Sequence, residues 1–180
     1  MKNLKRTVDR ILNELGLMET VGRYGEPHVI GSCMMDLMAV RDIDIDVTNE
    51  RMNLERLHEL TQTILKKYRP TWYEAKEEIT DEGKTVWFHG FHTLVDGEIW
   101  NIDLWFFDDE TIRKAEAYCR KIMQAAEDAP WKREAILTIK RGLIERGIYS
   151  FDQYKSMDVY DAVLEKGIRT TEEFLEHYGR

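Results

Sequence analysis

Over the first fifteen residues the apolar positions Leu4, Val8, Ile11, Leu12 and Leu15 fall at helical spacing, and Gly16 offers a stop. The chain is therefore expected to open with an amphipathic helix. A turn-rich stretch with Gly22, Gly25 and Pro27 leads to Val29-Ile30, a short apolar strand end that enters Gly31-Ser32. Asp42-Ile43-Asp44-Ile45-Asp46-Val47 then alternates acid with branched aliphatic at period two, which places all three acids on one face of a strand. Thr48 or Asn49 is positioned to cap a helix whose inward stripe is Leu54, Leu57, Leu60, Ile64 and Tyr68, and Pro70 closes it.

From Thr71 to Phe107 the pattern changes to strands, with a turn at Asp81-Glu82-Gly83-Lys84 and two long segments joined at Asp96-Gly97. Asp-Gly between alternating apolar runs specifies a two-residue hairpin loop. Counting outward from that loop pairs Val95 with Glu98, His92 with Asn101 and Gly90 with Asp103. Trp100, Ile102, Leu104 and Phe106 then share an apolar face, while Asn101 and Asp103 point the other way. His89 and His92 fall on opposite faces, so they form no metal pair, and the aromatic residues of 72–107 read as core.

The remainder is helical. Asp108 or Asp109 caps a stripe of Ile112, Ala115, Cys119, Ile122, Met123 and Ala126, and Pro130 suits the first turn of a helix running through Ile136, Ile139 and Leu143 to Gly147. Ser156 caps the next helix, and Thr170-Thr171-Glu172-Glu173 is a capping box. The pattern adds up to an α+β fold: a mixed sheet with an antiparallel hairpin and flanking helices in residues 1–108, and a helical C-terminal region, 109–180, packed on that core.

Composition narrows the partners. An excess of 34 acidic over 26 basic residues gives a net charge of -8, which argues against general nucleic-acid binding because that needs a basic stripe to displace counterions. A small-molecule partner is expected instead. Two cysteines far apart, Cys33 and Cys119, build neither a disulfide framework nor a zinc site. The basic start lacks the apolar stretch of a signal peptide, and no run of about 18 apolar residues is present to cross a membrane, so the cytoplasm is the expected location. Nothing in the sequence sets the oligomeric state.

Same-face residues on a strand lie roughly 6.6 Å apart, so two adjacent carboxylates are able to converge on hard divalent cations. Asp42 and Asp44 are the pair, and Asp103 on a later strand is a third carboxylate in an otherwise apolar run that needs a partner if buried. An apolar residue followed by Gly31-Ser32, a spacer of about ten residues, Asp42-x-Asp44 and a third acid, Asp103, together resemble the signature of the polymerase-beta-like nucleotidyltransferase superfamily.

The resemblance implies a nucleotidyltransferase-like sheet and a magnesium-dependent enzyme that moves a nucleoside monophosphate from an NTP such as ATP to a hydroxyl of a small molecule, releasing pyrophosphate. It implies that Asp42, Asp44 and Asp103 hold two Mg²⁺ ions, with Asp103 as base, and that Gly31 and Ser32 contact phosphate. Lys140 and Arg141 are the candidate triphosphate cations, with Lys132 and Arg133 behind them; the plainer reading of this cluster is a solvated helix face. His92 is the candidate for the acceptor pocket. Asp36 stands in the spacer where many relatives carry glycine, and is expected either to turn outward or to take a turn conformation that Asp tolerates. Asp46 lies outside the signature.

Two alternatives stand beside this reading. One is a catalytically degenerate nucleotide-binding module that retains the scaffold. The other is a haloacid-dehalogenase-like phosphatase, since Asp44-Ile45-Asp46-Val47-Thr48 fits its Asp-x-Asp-x-Thr nucleophile loop, with Asp44 phosphorylated and Asp46 as acid/base.

Overall fold

The alternation that sequence analysis finds in 42–47 builds the middle of a five-stranded sheet. The computed structural model describes residues 2–150 and 152–179, with the side chains of residues 2 and 3 left aside. Helix α1 (Lys2–Asp9) passes into a π-helical turn at Arg10–Glu14 and stops where Gly16 adopts a φ of 67°. Then come α2 (Leu17–Gly22), β1 (Pro27–Ile30), the single turn α3 (Gly31–Met34), β2 (Asp42–Thr48) and α4 (Leu54–Tyr68). Strands β3 (Trp72–Ile79), β4 (Thr85–Val95) and β5 (Glu98–Phe107) complete the sheet in the order β1-β2-β5-β4-β3.

Within this sheet β2 and β5 run parallel, and the other three neighbouring pairs are antiparallel. That mixed sheet bears out the expected α+β class and rules out the phosphatase alternative, whose nucleophile loop belongs to a parallel sheet. The Asp96-Gly97 loop is a two-residue turn with both residues at positive φ, 53° and 80°, and the register is the one counted from sequence: Val95 opposite Glu98, His92 opposite Asn101, Gly90 opposite Asp103. Trp100, Ile102, Leu104 and Phe106 are buried to 1% exposure or less, and Ile43, Ile45 and Val47 of β2 share their face. His89 also points inward, and burial pushes it down to about 4. Tyr73 donates its hydroxyl proton to Thr61, so its oxygen accepts from His89 Nδ1, 2.8 Å away, and the ring stays neutral.

The cap of α4 differs from expectation. Thr48 still belongs to β2, Asn49 donates its backbone N–H to Phe107, and Asn53 caps the helix by accepting from the Arg56 N–H at 3.0 Å. The strand outlasts its alternating acids because its edge toward β5 still has partners to pair.

The chain divides into two compact units, Met1–Asp36 with Arg41–Glu116 and Leu37–Val40 with Ala117–Arg180. The boundary falls inside α5 (Asp109–Asp128), whose start Asp108 caps by accepting from the Thr111 N–H. The second unit contains α6 (Pro130–Glu145), α7 (Ser156–Lys166) and α8 (Thr171–Tyr178) around Ile136, Ile139, Leu143, Val159, Val163 and Phe174. The capping box at Thr170 and Glu173 forms as read, whereas Ser156 is the first residue of α7 and shares a hydrogen bond with the Tyr149 hydroxyl. No helix among the described residues is long and apolar enough to cross a membrane.

Candidate metal centre on the open face of the sheet

Because paired residues in adjacent strands present their side chains to the same face, register alone gives the layout of the face opposite the core. One row runs Trp72, His92, Asn101, Asp42, and the next runs Glu74, Gly90, Asp103, Asp44, Ile30. Asp42, Asp44 and Asp103 each offer a carboxylate oxygen, and the three oxygens lie within 4.8 Å of one another. The first two come from consecutive same-face positions of β2, and the third arrives because the two-residue turn fixes the parity of β5.

The Asn101 side chain holds this group together. Its amide donates to Asp42 Oδ1 at 2.7 Å and also hydrogen-bonds Asp103. An amide has two N–H donors, enough for one on each carboxylate. Burial, then the charge of Asp42, raises Asp103 to about 6, and the Asn101 bond opposes the rise. Three half-buried acids at this spacing repel until a cation joins them. All the donors are carboxylate oxygens, the hard set that suits Mg²⁺ or a similar divalent ion. Cys33 contributes no thiolate, because burial and the charges of Asp44, Asp42 and Asp36 push its thiol up to about 12.

Gly31 lies against this group for a reason the sequence does not show. Its φ is 63°, and a Cβ there would stand 2.4 Å from Asp44 Oδ2. The glycine therefore makes room for the carboxylate itself as well as for any phosphate above it. Ser32 follows in the first turn of α3, and Asp36 takes a φ of 54°, the turn conformation that is one of the two arrangements expected for it. Gly90 acts similarly on the other side, where a Cβ would meet the Phe88 ring at 2.6 Å and Asp103 Oδ1 at 3.1 Å.

Other candidates are placed differently. Asp46 shares the face of Asp42 and Asp44 but is only 2% exposed and pairs in register with His28, whose Nδ1 lies 2.9 Å from Glu116. Burial raises Asp46 to about 7; His28 opposes the rise and Glu116 adds to it. Lys140 is not part of a solvated helix face. It is fully buried within the second unit, where its ammonium donates to the Leu37 carbonyl at 3.1 Å and the Tyr160 hydroxyl at 2.8 Å, so it is a structural cation. Arg141 beside it is exposed. His92 lies half-buried between Asn101 and Trp72, the latter with ring centroids 4.9 Å away. The aromatic residues of 72–107 are only partly core: Phe91, Trp100 and Phe106 are buried, whereas Trp72 is 42% exposed on the open face. Sequence reasoning missed Asn101 as a carboxylate partner, although its position two residues before Asp103 carried the signal.

No protein-family model and no curated protein matches the chain. Solved structures do match. The Cid1 poly(U) polymerase bound to MgGTP superposes with a TM-score of 0.66 at 16% identity, over 91% of this chain and 50% of that one. A cytoplasmic RNA terminal U-transferase gives 0.62 at 15%, over 91% and 48%, and the poly(A) polymerase complex GLD-2–GLD-3 gives 0.64 at 13%, over 95% and 56%. The chain spans about half the length of the structures it matches. These neighbours overturn the expectation of a small-molecule acceptor and of no general nucleic-acid binding, because the matching structures are a poly(U) polymerase, an RNA terminal U-transferase and a poly(A) polymerase complex. The physical error lay in reading a whole-chain charge as a local one, since three carboxylates that could hold a cation themselves contribute to the net -8. On sheet order, element order and superposition, the chain has the fold of the polymerase-beta-like nucleotidyltransferases.

Proposed function

We propose that this chain transfers a nucleoside monophosphate from an NTP to the 3′-hydroxyl of an RNA, releasing pyrophosphate. The observation that supports it most is the convergence of Asp42, Asp44 and Asp103 beside the Gly31-Ser32 turn. These three carboxylates would hold two Mg²⁺ ions, which when bound neutralise charge on the transferring phosphoryl group. Ser32, on the β1 side of Asp44, would hydrogen-bond the triphosphate, with Gly31 allowing close approach of the backbone. Asp103, on the β4 side, would accept the proton of the attacking hydroxyl. Asn101 would keep Asp42 and Asp103 in place, so that little rearrangement is needed at the moment of reaction.

The test is incubation with Mg²⁺, each of four labelled NTPs and a short oligoribonucleotide. The expected result is pyrophosphate together with an oligonucleotide lengthened at its 3′ end, both abolished by EDTA. NTP binding without pyrophosphate release under any of these conditions would overturn turnover and leave a nucleotide-binding module.

A further inference from the structure

The open face continues past the carboxylates into an apolar shelf. Trp72 on the edge strand β3 is 42% exposed and tilts against His92, and at the hairpin end Leu94 and Ile99 face each other with 62% and 55% exposure. By strand parity all four lie on the face that carries Asp42 and Asp103. At about 4.8 Å per strand step, Trp72 stands about 14 Å from Asp42 along one row, with His92 and Asn101 between.

The direction of the reaction gives this shelf an occupant. Phosphoryl transfer places the attacking and leaving oxygens in line on opposite sides of phosphorus. Gly31 and Ser32 flank Asp44 from β1, so with the triphosphate held there pyrophosphate leaves toward β1 and the attacking hydroxyl comes to the α-phosphorus from the side of β4 and β3. An acceptor strand whose 3′-hydroxyl sits at Asp103 and that continues toward β3 has Gly90 and Glu74 in its own row and His92 and Trp72 in the adjacent one, and the second row is the one that offers rings to its last bases. The local charges fit flat, uncharged rings better than phosphates, since Glu74 lies one row away and Arg41 is paired with Glu98 at 3.0 Å.

We propose that Trp72, with His92 beside it, is a stacking platform for the terminal bases of a single-stranded RNA acceptor. This inference rests on the acceptor assigned above. Stacking on a flat ring tolerates any base, so the platform positions the strand end without selecting its sequence. It depends little on displaced counterions, so its contribution persists in salt.

The test uses the full chain and a fluorescent oligoribonucleotide ending in a 3′-deoxynucleotide, which binds but cannot react. Anisotropy titrations compare wild type with Trp72→Ala, Trp72→Phe and His92→Ala at low and moderate salt, with NTP affinity measured in parallel. Trp72→Ala is expected to weaken oligonucleotide binding roughly 5- to 100-fold at both salt concentrations while leaving NTP affinity unchanged, and Trp72→Phe to restore most of it. Wild-type binding that Trp72→Ala leaves intact would overturn the platform alone. A wild type that binds no oligonucleotide would overturn the RNA acceptor and the platform with it. Light scattering on the same samples covers the remaining occupant: if Trp72→Ala dissociates an oligomer without changing oligonucleotide affinity, the shelf faces a second copy of the chain and the proposal fails.

Discussion

Strand β2 carries three aspartates at the same parity, yet its two ends behave as different materials. At the Asp42–Asp44 end the neighbours across the strand are Asn101 and Asp103, the acids are half-buried, and three carboxylate oxygens gather within 4.8 Å. At the Asp46 end the neighbours are Trp105 and His28, the side chain is 2% exposed, and burial holds the acid up to about 7. The residue type and its spacing are identical. What separates a cluster that could hold a cation from a buried acid is the pair of residues that the flanking strands deliver opposite it.

The strongest way to break this comparison is Asp44→Asn set against Asp46→Asn. Loss of Asp44 is expected to reduce nucleotidyl transfer by more than about 1000-fold and to abolish metal-dependent NTP binding, with the melting temperature near wild type. Asp46→Asn should keep transfer within a few-fold. Equal losses in both would merge the two ends into one site.

Asn101→Ala probes what the first end owes to its neighbour. Removing the amide leaves Asp42 and Asp103 without their shared donor, and a fall in divalent-ion affinity of about 10- to 100-fold is expected by calorimetry. Asn101→Asp, which keeps the shape but adds a fourth negative charge, should not restore the wild-type arrangement. An affinity unchanged in Asn101→Ala would mean that the carboxylates hold their geometry unaided.

The second end is tested by stability against pH. Asp46 has a folded pKa near 7, above its unfolded value near 3.8, so between those limits the unfolded chain has released a proton that the folded one retains. The contribution of this group is fully present below about pH 4 and is lost as pH rises through 7. Asp46→Asn removes the dependence, so chemical denaturation should show the variant gaining on wild type from pH 4 to pH 8, by up to about 4 kcal/mol. A difference that stays flat with pH would place Asp46 in a solvated setting.

The sheet face was legible because two local signals are strict. Period-two alternation fixes the parity of β2, and Asp96-Gly97 fixes the register of β5 against β4, so the sequence alone assigns Asp103 to the side of Gly90. Signals that depend on distant partners were not legible. Lys140 sits on a helix whose pattern admits a solvated face, and only the arrival of Leu37 and Tyr160 makes it buried. Asn53 took the cap of α4 because β2 kept pairing with β5 through Thr48, a competition that local sequence does not decide. Trp72 read as core because its composition is that of core; its exposure follows from β3 being an edge strand, a property of the whole sheet.

The two-residue turn at Asp96-Gly97 also acts as a ruler for how this chain tolerates changes of length. One residue inserted between Gly97 and Asp103 would carry the acid to the buried side and bring Ile102 or Leu104 out in its place, dispersing the carboxylate cluster and opening the core in one step. A two-residue extension added at the tip, one to each strand, preserves every parity below it. The hairpin is thus open to growth at its end and closed to it along its length.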